Sequence, residues 1–464
     1  MSVTTPDYFL FLATIFLAYW ATRRWRLASI GVILFADYFF YAKWDLIYLA
    51  IIPLAATCDF FIGQALEDFE KPKARRALVT TSIVLNIALI VSSRYVPFLT
   101  SIAPTRHDWH FSWVLPLGLS FYAFQAMTYT IDIYRKLAKP SSSYLTYLAA
   151  VSFFPTTLAG PITPVHRLIA ALDNIRVTLG SKDGGRALFL ISMGLAKKFL
   201  IADYLAENLI NRVFDLPKLY SGGEALLAAY AYTFQLYYDF SGYTDIVLGS
   251  ALLLGIQLPV NFNKPYLSAN VAEFWRRWHI SLSNWLRDNL YFSLPGQRSK
   301  WRPYLNLIVT MGVGGLWHGP NWTFLIWGLL HGFGLAVARG FEAYRGRRKP
   351  SPNPWFRTLR IVGTFHFVVF AWIFFRAPSL RGAFDFLGQI GTFNMSFPNV
   401  TFAYLLVLGV GVAAHYVPAG WYKRSVDIFS TAHPLVQGAA MALLVVAIRY
   451  VVGTGAAPFI YSKF

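Results

Sequence analysis

Long apolar runs recur along the chain and are separated by short polar stretches. The first five cover residues 8–21, 27–42, 46–66, 77–91 and 113–134. Further apolar segments lie near 144–160, 186–210, 224–237, 243–257, 303–317, 321–340, 355–375, 401–418 and 434–453. Most of these runs have the length that a helix needs to cross a bilayer, whereas prolines and glycines interrupt a few of them. We therefore predict an all-α, polytopic integral membrane protein with about eleven transmembrane helices plus re-entrant or buried helices.

The basic residues of the chain predict its orientation. Three arginines lie within residues 23–26, directly after the first run, and the loops 67–76 and 345–349 are also rich in Lys and Arg. Because Lys and Arg are enriched in cytoplasmic loops, these stretches are expected inside, and the N-terminus and the stretch 105–110 outside. The prediction is a multi-pass protein of a bacterial cytoplasmic membrane.

Composition excludes several classes of protein. Of the 464 residues, 56% are hydrophobic and only 14% are charged, against roughly 25% charged in soluble domains. A soluble enzyme, a disordered chain and a disulfide scaffold are excluded, the last because Cys58 is the single cysteine. The net charge of +19 lies in short loops between apolar runs, so we attribute it to topology beside membrane lipid and predict no nucleic-acid partner. Since no linker divides the chain, a single membrane domain over 1–464 is expected.

The segment 271–291 carries too many charges for a lipid-facing span. It reads VAEFWRRWHISLSNWLRDNLY, and each charge at the centre of a span costs about 2.5–3.5 kcal/mol. On a continuous helix, one face holds Trp275, Trp278, Leu282 and Leu286, and the other holds Arg276, Arg277, Ser283, Asn284 and Arg287. His279 lies between the two faces. The pattern favours an interfacial helix with a hydrogen-bonded histidine, and a functional imidazole is the alternative.

His318 stands in a second unusual segment, GVGGLWHGPNWTF, at 312–324. Glycines on both sides of it predict close packing of helix backbones. An ionisable group between apolar runs is a functional candidate, although a bond to a backbone carbonyl would also explain it. His331 lies about 220° further around a continuous helix, so we expect it to point away from His318 and to serve helix packing.

Asp239 and Asp245 lie among aromatic and aliphatic residues, where an unpaired carboxylate is costly. Arg276, Arg277, Arg287 or a histidine are the expected partners. Ion pairing that holds helices together is favoured over a carboxylate that orients a catalytic imidazole.

Taken together, these motifs resemble the membrane-bound O-acyltransferase (MBOAT) superfamily, and within it the bacterial alginate O-acetyltransferases and teichoic-acid D-alanyl transferases. The resemblance rests on LPLGLSFYAFQAMTYTIDIYRK (115–136), FFPTTLAGPI (153–162), YYDFSGYTDIVLG (237–249), NFNKPYLSANVAEFWRRWHISLSNWLRDNLY (261–291), GGLWHGPNWTFLIWGLLHG (314–332) and the tail FIYSKF (459–464). It implies a catalytic core over 115–332 and helices arranged around a central tunnel.

The resemblance also implies roles for individual residues. His318 corresponds to the catalytic histidine of the family. His279 corresponds to its second active-site histidine, which is expected to position the acceptor or the donor, or to stabilise the tetrahedral oxyanion. His318 is expected to act as the base that deprotonates the acceptor hydroxyl, while the backbone at 314–315 or Asn321 holds the oxyanion. The side chains expected to bind or orient the substrate are those of Asp239, Tyr243, Arg276, Trp275, Ser283 and Asn321.

Acyl transfer needs a donor but no resident cofactor. We expect no permanently bound cofactor, and no metal, since the chain has neither an HExxH motif nor Cys/His ligand spacing. The donor would be acetyl-CoA or a thioester on a small acidic carrier protein. Acetyl transfer to an exported or cell-surface polysaccharide, as in alginate O-acetylation, or to a periplasmic partner acyltransferase, is favoured. D-alanyl transfer to a cell-envelope polymer is the alternative, and a transporter or flippase is a remote one.

Overall fold

A computed structural model describes residues 2–102, 118–157, 159–174, 178–346 and 353–452. Every regular element in these ranges is helical, which confirms the predicted all-α class. The predicted external stretch 105–110, most of the basic loop 345–349 and the tail 459–464 lie outside the described residues.

The helices, with the bounds that the structure gives them, fall into three stretches of the chain. The first contains α1 (Pro6–Thr22), α2 (Arg26–Ala42), α3 (Tyr48–Asp68), α4 (Pro72–Ile102), α5 (Gly118–Tyr134), α6 (Tyr144–Val151), α7 (Phe154–Thr157), α8 (Val165–Asp173) and α9 (Ser181–Leu195). The second contains two π-helices (Ala196–Asp203 and Ala206–Ile210), α10 (Asn211–Asp215), a 3₁₀ turn (Pro217–Leu219) and α11 (Gly222–Leu253). The third contains a 3₁₀ turn (Pro265–Leu267), α12 (Val271–Trp275), α13 (Ile280–Trp285), a π-helix (Leu286–Leu290), a 3₁₀ turn (Tyr291–Ser293), α14 (Arg302–His318), α15 (Trp322–Arg345), α16 (Pro354–Arg376), α17 (Leu380–Ile390), α18 (Phe402–Tyr416), α19 (Ala419–Thr431) and α20 (Pro434–Val452).

Several of these helices can cross a membrane. Within the described ranges, five are long and apolar enough: Tyr48–Asp68, Pro72–Ser92, Trp322–Arg345, Pro354–Arg376 and Pro434–Val451. The pair α18 and α19, bent by 96°, is a sixth candidate. Helices α1, α2, α5 and α14 have 17 residues each, about 26 Å of rise, which is slightly less than a bilayer core of about 30 Å. The chain is thus a multi-pass membrane protein, while the count of eleven and the tunnel stay predictions.

One predicted boundary is wrong. The apolar segments 224–237 and 243–257 are not separate elements, because α11 runs without a break through Asp239. A polar residue interrupts the hydrophobic pattern there without interrupting the helix, since an ion pair described below compensates its charge.

The described residues form two compact units. The first comprises Met1–Met193, Tyr243–Pro259 and Val426–Gln437. A buried carboxylate in this unit is hydrogen-bonded, as burial of a charged group in a low dielectric requires: Asp59 accepts hydrogen bonds from Ser82 Oγ at 2.6 Å and from Asn86 Nδ2 at 2.8 Å. The prediction of one domain over 1–464 stays a prediction.

The second unit comprises Gly194–Gly242, Val260–Ser425 and Gly438–Phe464. It contains both histidines of the resemblance, His279 and His318. Tyr243 belongs to the first unit, where it is buried, so its orienting role stays a prediction.

Candidate active site

His279 lies in a sharp turn between α12 and α13, and not within a continuous helix as predicted. Its backbone is left-handed, with φ 43° and ψ 54°, a conformation that is costly for a side chain with a Cβ. Asn261 holds this turn: its carbonyl accepts from Ile280 N at 3.0 Å, and its Oδ1 accepts from Ser281 N at 3.0 Å and from Ser281 Oγ at 2.8 Å. These bonds to a distant residue replace the helical bonds that periodicity alone predicted.

The predicted division of this segment into a buried and an exposed face is confirmed. Trp275, Trp278, Leu282 and Leu286 are all buried, whereas Arg276 is exposed and Ser283 half-buried. These four apolar residues are buried although the helix is broken at His279, because each short helix keeps its apolar side chains toward the interior. Arg276 and Ser283 are therefore at the outer side of the segment, and their orienting role stays a prediction.

The His279 imidazole is almost fully buried, with 1% of the residue exposed. The ring of Phe240 in α11 meets it edge to face, with 4.8 Å between ring centroids. Neither α12 nor α13 is long enough to span a membrane, and burial lowers the pKa of the imidazole to about 3. The ring is therefore neutral at physiological pH, where it can accept or donate a hydrogen bond but carries no charge.

His318 is the last residue of α14 and is also buried, with 3% exposed. Its ring lies among aromatic side chains: Trp317 at 4.8 Å, Trp327 at 5.2 Å and Phe375 at 5.0 Å between centroids. These rings come from α14, α15 and α16, so three helices position one imidazole in an apolar enclosure.

Glycines bring α14 and α15 together beside His318, as predicted. A Cβ on Gly315 would overlap the carbonyl oxygen of Phe324, and a Cβ on Gly328 would overlap that of Met311. A Cβ on Gly332 would lie 2.6 Å from Ile308 Cα. Gly328 and Gly332 form a GxxxG pattern, which allows helix backbones to approach closely in membranes.

The groups expected to stabilise an oxyanion are already engaged. Gly314 and Gly315 lie near the C-terminal end of α14, where backbone N–H groups donate within the helix. Asn321 caps α15: its Oδ1 accepts from Thr323 N at 3.0 Å, and its Nδ2 donates to Pro378 O at 2.9 Å. The oxyanion role of these groups stays a prediction. To fulfil it, these groups would have to give up the hydrogen bonds that they make in the structure.

Asp239 has a partner that the sequence argument missed. Lys198 Nζ lies 2.6 Å from Asp239 Oδ1 and 2.8 Å from Asp203 Oδ1. The three side chains are between 2% and 6% exposed. Two of the three arginines that we expected bond elsewhere, Arg277 to Glu273 and Arg287 to Asp288. Lys198 takes their place as a partner of Asp239, and the partner of Asp245 stays a prediction.

Local geometry explains how this buried triad forms. Lys198 and Asp203 are five residues apart on a π-helix, whose i→i+5 bonds align residues at that spacing. Gly242 in α11 permits close packing against this helix and the end of α9 before it, because a Cβ there would lie 3.2 Å from Lys198 N and 2.7 Å from Gly194 O. The signal available in the sequence was a lysine within the apolar run 186–210, where an ionisable residue implies a partner.

His331 belongs to the same aromatic cluster as His318, contrary to the expectation that it points away. Residues 319–321 interrupt the helix between the two histidines, so the angle calculated for a continuous helix does not apply. Trp327 contacts both rings, with centroids 5.2 Å from His318 and 5.1 Å from His331. Trp275 donates from Nε1 to His331 Nδ1 at 3.3 Å, which joins the segment of His279 to α15.

Comparison with known proteins gives a consistent result. The model of MBOAT, the membrane-bound O-acyltransferase family, matches residues 86–383. The probable alginate O-acetylase AlgI of Pseudomonas aeruginosa is 35% identical over 430 residues, which cover 90% of this chain and 81% of the relative. The peptidoglycan O-acetyltransferase of Helicobacter pylori is 34% identical over 391 residues, covering 78% of this chain and 73% of the relative. The teichoic acid D-alanyltransferase of Bacillus subtilis is 29% identical over 309 residues, covering 63% and 76%.

Proposed function

We propose a reaction for this chain, which belongs to the membrane-bound O-acyltransferase family. The enzyme moves an acetyl group from a cytoplasmic thioester to a hydroxyl on the outer side of the membrane. The acceptor is an exported or cell-surface polysaccharide, or a periplasmic partner acyltransferase that passes the group on. Two relatives named for O-acetylation match 90% and 78% of this chain, against 63% for the D-alanyltransferase. This difference supports acetyl over D-alanyl as the transferred group.

The observation that carries the mechanism is the buried His318 imidazole at the end of α14. One ring nitrogen accepts the proton of the acceptor hydroxyl while the oxygen attacks the thioester carbon. The tetrahedral intermediate then collapses, the C–S bond breaks, and the imidazolium returns the proton to the departing thiolate. The aromatic enclosure excludes water from the reacting carbon, which protects the thioester from hydrolysis.

His279 has a different task in this proposal. Its neutral ring is held in a strained turn by Asn261 and packed against Phe240, so its orientation is set before the substrate arrives. We assign it to positioning the acceptor or the donor, since such preorganisation lowers the entropic part of the barrier.

The basic loops support a cytoplasmic donor with negative charge. The loop 67–76 carries four Lys or Arg residues in its second half, after three Asp or Glu residues. The basic half would attract either the phosphates of coenzyme A or a small acidic carrier protein. This proposal places the protein in a bacterial cytoplasmic membrane with its N-terminus outside.

Purified protein in proteoliposomes tests the proposed function. Labelled acetyl-CoA inside the vesicles and a polysaccharide acceptor outside should give labelled ester together with free thiol inside. A D-alanyl thioester on a carrier protein is the second donor to be tested, and ester formed only from it would assign D-alanyl transfer. Movement of the acceptor across the bilayer without ester formation would overturn the proposal in favour of a transporter.

A further inference from the structure

His331 is a second histidine beside the expected base, and its hydrogen bonding is half complete. The residue is fully buried in the middle of α15. Its Nδ1 accepts the hydrogen bond from Trp275 Nε1 at 3.3 Å. A ring nitrogen that accepts a hydrogen bond carries no proton, so the proton of the neutral imidazole is on Nε2. The Trp275 bond thus fixes the tautomer of His331.

The Nε2–H group of His331 has no hydrogen-bond partner among the residues that the structure describes. A buried donor without an acceptor is unfavourable, and such groups in folded proteins are rarely left unpaired. A phenylalanine at this position would pack in the same aromatic cluster and remove this donor, although it would leave Trp275 Nε1–H without its acceptor. The histidine therefore points to an acceptor supplied by a ligand.

Trp327 provides a second donor of the same kind. It lies one helical turn before His331 on α15, is 2% exposed, and its Nε1–H also has no partner in the described part of the chain. Its ring lies against both His318 and His331, so the two imidazole centroids are no more than about 10 Å apart. Two unsatisfied N–H groups thus line the same aromatic cluster as the expected base.

We propose that His331 Nε2–H, together with Trp327 Nε1–H, binds a carbonyl oxygen of the thioester donor and so holds the acyl group near His318. The inference rests on the proposed function and deepens it, since it names residues that bind the donor. It is also compatible with the hydrogen bonds that Asn321 and the backbone at 314–315 already make within the protein, because those groups are not needed to hold the donor.

The role of Trp275 follows from the same geometry. Its bond to His331 Nδ1 directs the remaining ring proton toward the ligand, which makes Trp275 a positioning residue. Phenylalanine at position 275 would remove this bond but keep the aromatic packing, and the His331 tautomer would no longer be fixed.

Steady-state kinetics with three variants in proteoliposomes test the proposal, with acetyl-CoA or the D-alanyl carrier protein as donor, whichever the wild type uses. His331→Phe should raise the KM for the donor about tenfold, the value of one hydrogen bond, while the KM for the acceptor stays unchanged. His331→Gln keeps a terminal N–H near the position of Nε2 and should restore most of the donor affinity. Trp275→Phe should raise the donor KM by a smaller factor.

Thermal unfolding of the same proteins separates binding from packing. His331→Phe should unfold near the wild-type temperature, because it removes one unpaired buried donor, Nε2–H, and leaves another, Trp275 Nε1–H, without its acceptor. Donor KM unchanged in His331→Phe would overturn the inference and leave His331 as a packing residue, with a buried water as its partner. If His331→Phe does not assemble, Trp275→Phe and His331→Gln decide the question. A donor KM in Trp275→Phe that is no higher than the donor KM in His331→Gln would overturn the inference. Failure of the proposed function is distinct, because the wild type would then form no ester.

Discussion

Replacing Lys198 by methionine should destabilise the protein far more than replacing an exposed lysine. Methionine preserves most of the side-chain length but removes the charge that lies 2.6 Å from Asp239 and 2.8 Å from Asp203. Two carboxylates would then face each other with at most 6% of either side chain exposed. Breaking a buried pair in this way costs about 3–5 kcal/mol, because the remaining charges are left without compensation.

Lys218→Met is the matched control in the same unit. Lys218 pairs with Asp385 at 3.2 Å, but these side chains are 68% and 34% exposed, and surface pairs contribute about 0–1 kcal/mol. Both variants would be unfolded thermally in the same bicelles and followed by circular dichroism. The triple variant Lys198→Met, Asp203→Asn, Asp239→Asn should regain much of the lost stability, since it leaves no buried charge.

One result of comparing Lys198→Met with Lys218→Met would contradict the prediction. A Lys198→Met protein that loses no more stability than Lys218→Met would refute the argument that the triad is buried and charged. Activity provides a second measurement, because α11 carries both Asp239 and Phe240, whose ring meets His279. Loss of the ion pair should therefore also lower kcat in the protein that still folds.

Two further predictions concern the packing and the protonation of the site. Gly315→Ala should destabilise the protein by about 1–3 kcal/mol, because the added Cβ overlaps the Phe324 carbonyl. Gly363→Ala in α16, where no atom lies within 4 Å of the new Cβ, should be neutral or stabilising, and equal effects in thermal unfolding would contradict the packing argument. His279→Gln should lower kcat by about 10²-fold without moving the acidic limb of the pH–rate profile, because the pKa of about 3 keeps the ring neutral throughout that range. A displaced limb would show that His279 titrates during catalysis.

Burial in the His279 segment was predictable because it depends on local periodicity. Trp275 and Trp278 are buried as expected, since apolar side chains turn inward whether the helix is continuous or broken. The break itself was not predictable from periodicity, because Asn261 creates it from eighteen positions away. A side chain that replaces helical bonds over that distance leaves no signal in the local pattern.

The pairing of Asp239 shows the same limit. The need for a cation followed from a carboxylate in an apolar segment, and that reasoning was correct. The identity of the cation depended on the π-helix that aligns Lys198 with Asp203 and on the close packing at Gly242. Neither feature has a local sequence pattern, so the nearby arginines were the wrong choice.

The position of His331 depended on one short interruption. Residues 319–321 separate α14 from α15. Because of this break, His318 and His331 both contact Trp327, whereas a continuous helix would point them apart. The sequence contains Gly319 and Pro320 at this point, which are signals that a helix ends. Using them would have predicted the helical hairpin.

The most direct test of the account is ester formation by His318→Ala in the proteoliposome assay, compared with His366→Ala. His366 lies in α16, is exposed, and bonds only the carbonyl of its own helix at Val362 among the described residues. Loss of the general base should lower kcat by about 10²–10⁴-fold, while the thermal unfolding temperature and the activity of His366→Ala stay near those of the wild type. Turnover by a folded His318→Ala protein at the wild-type rate would contradict the assignment of His318 as the base.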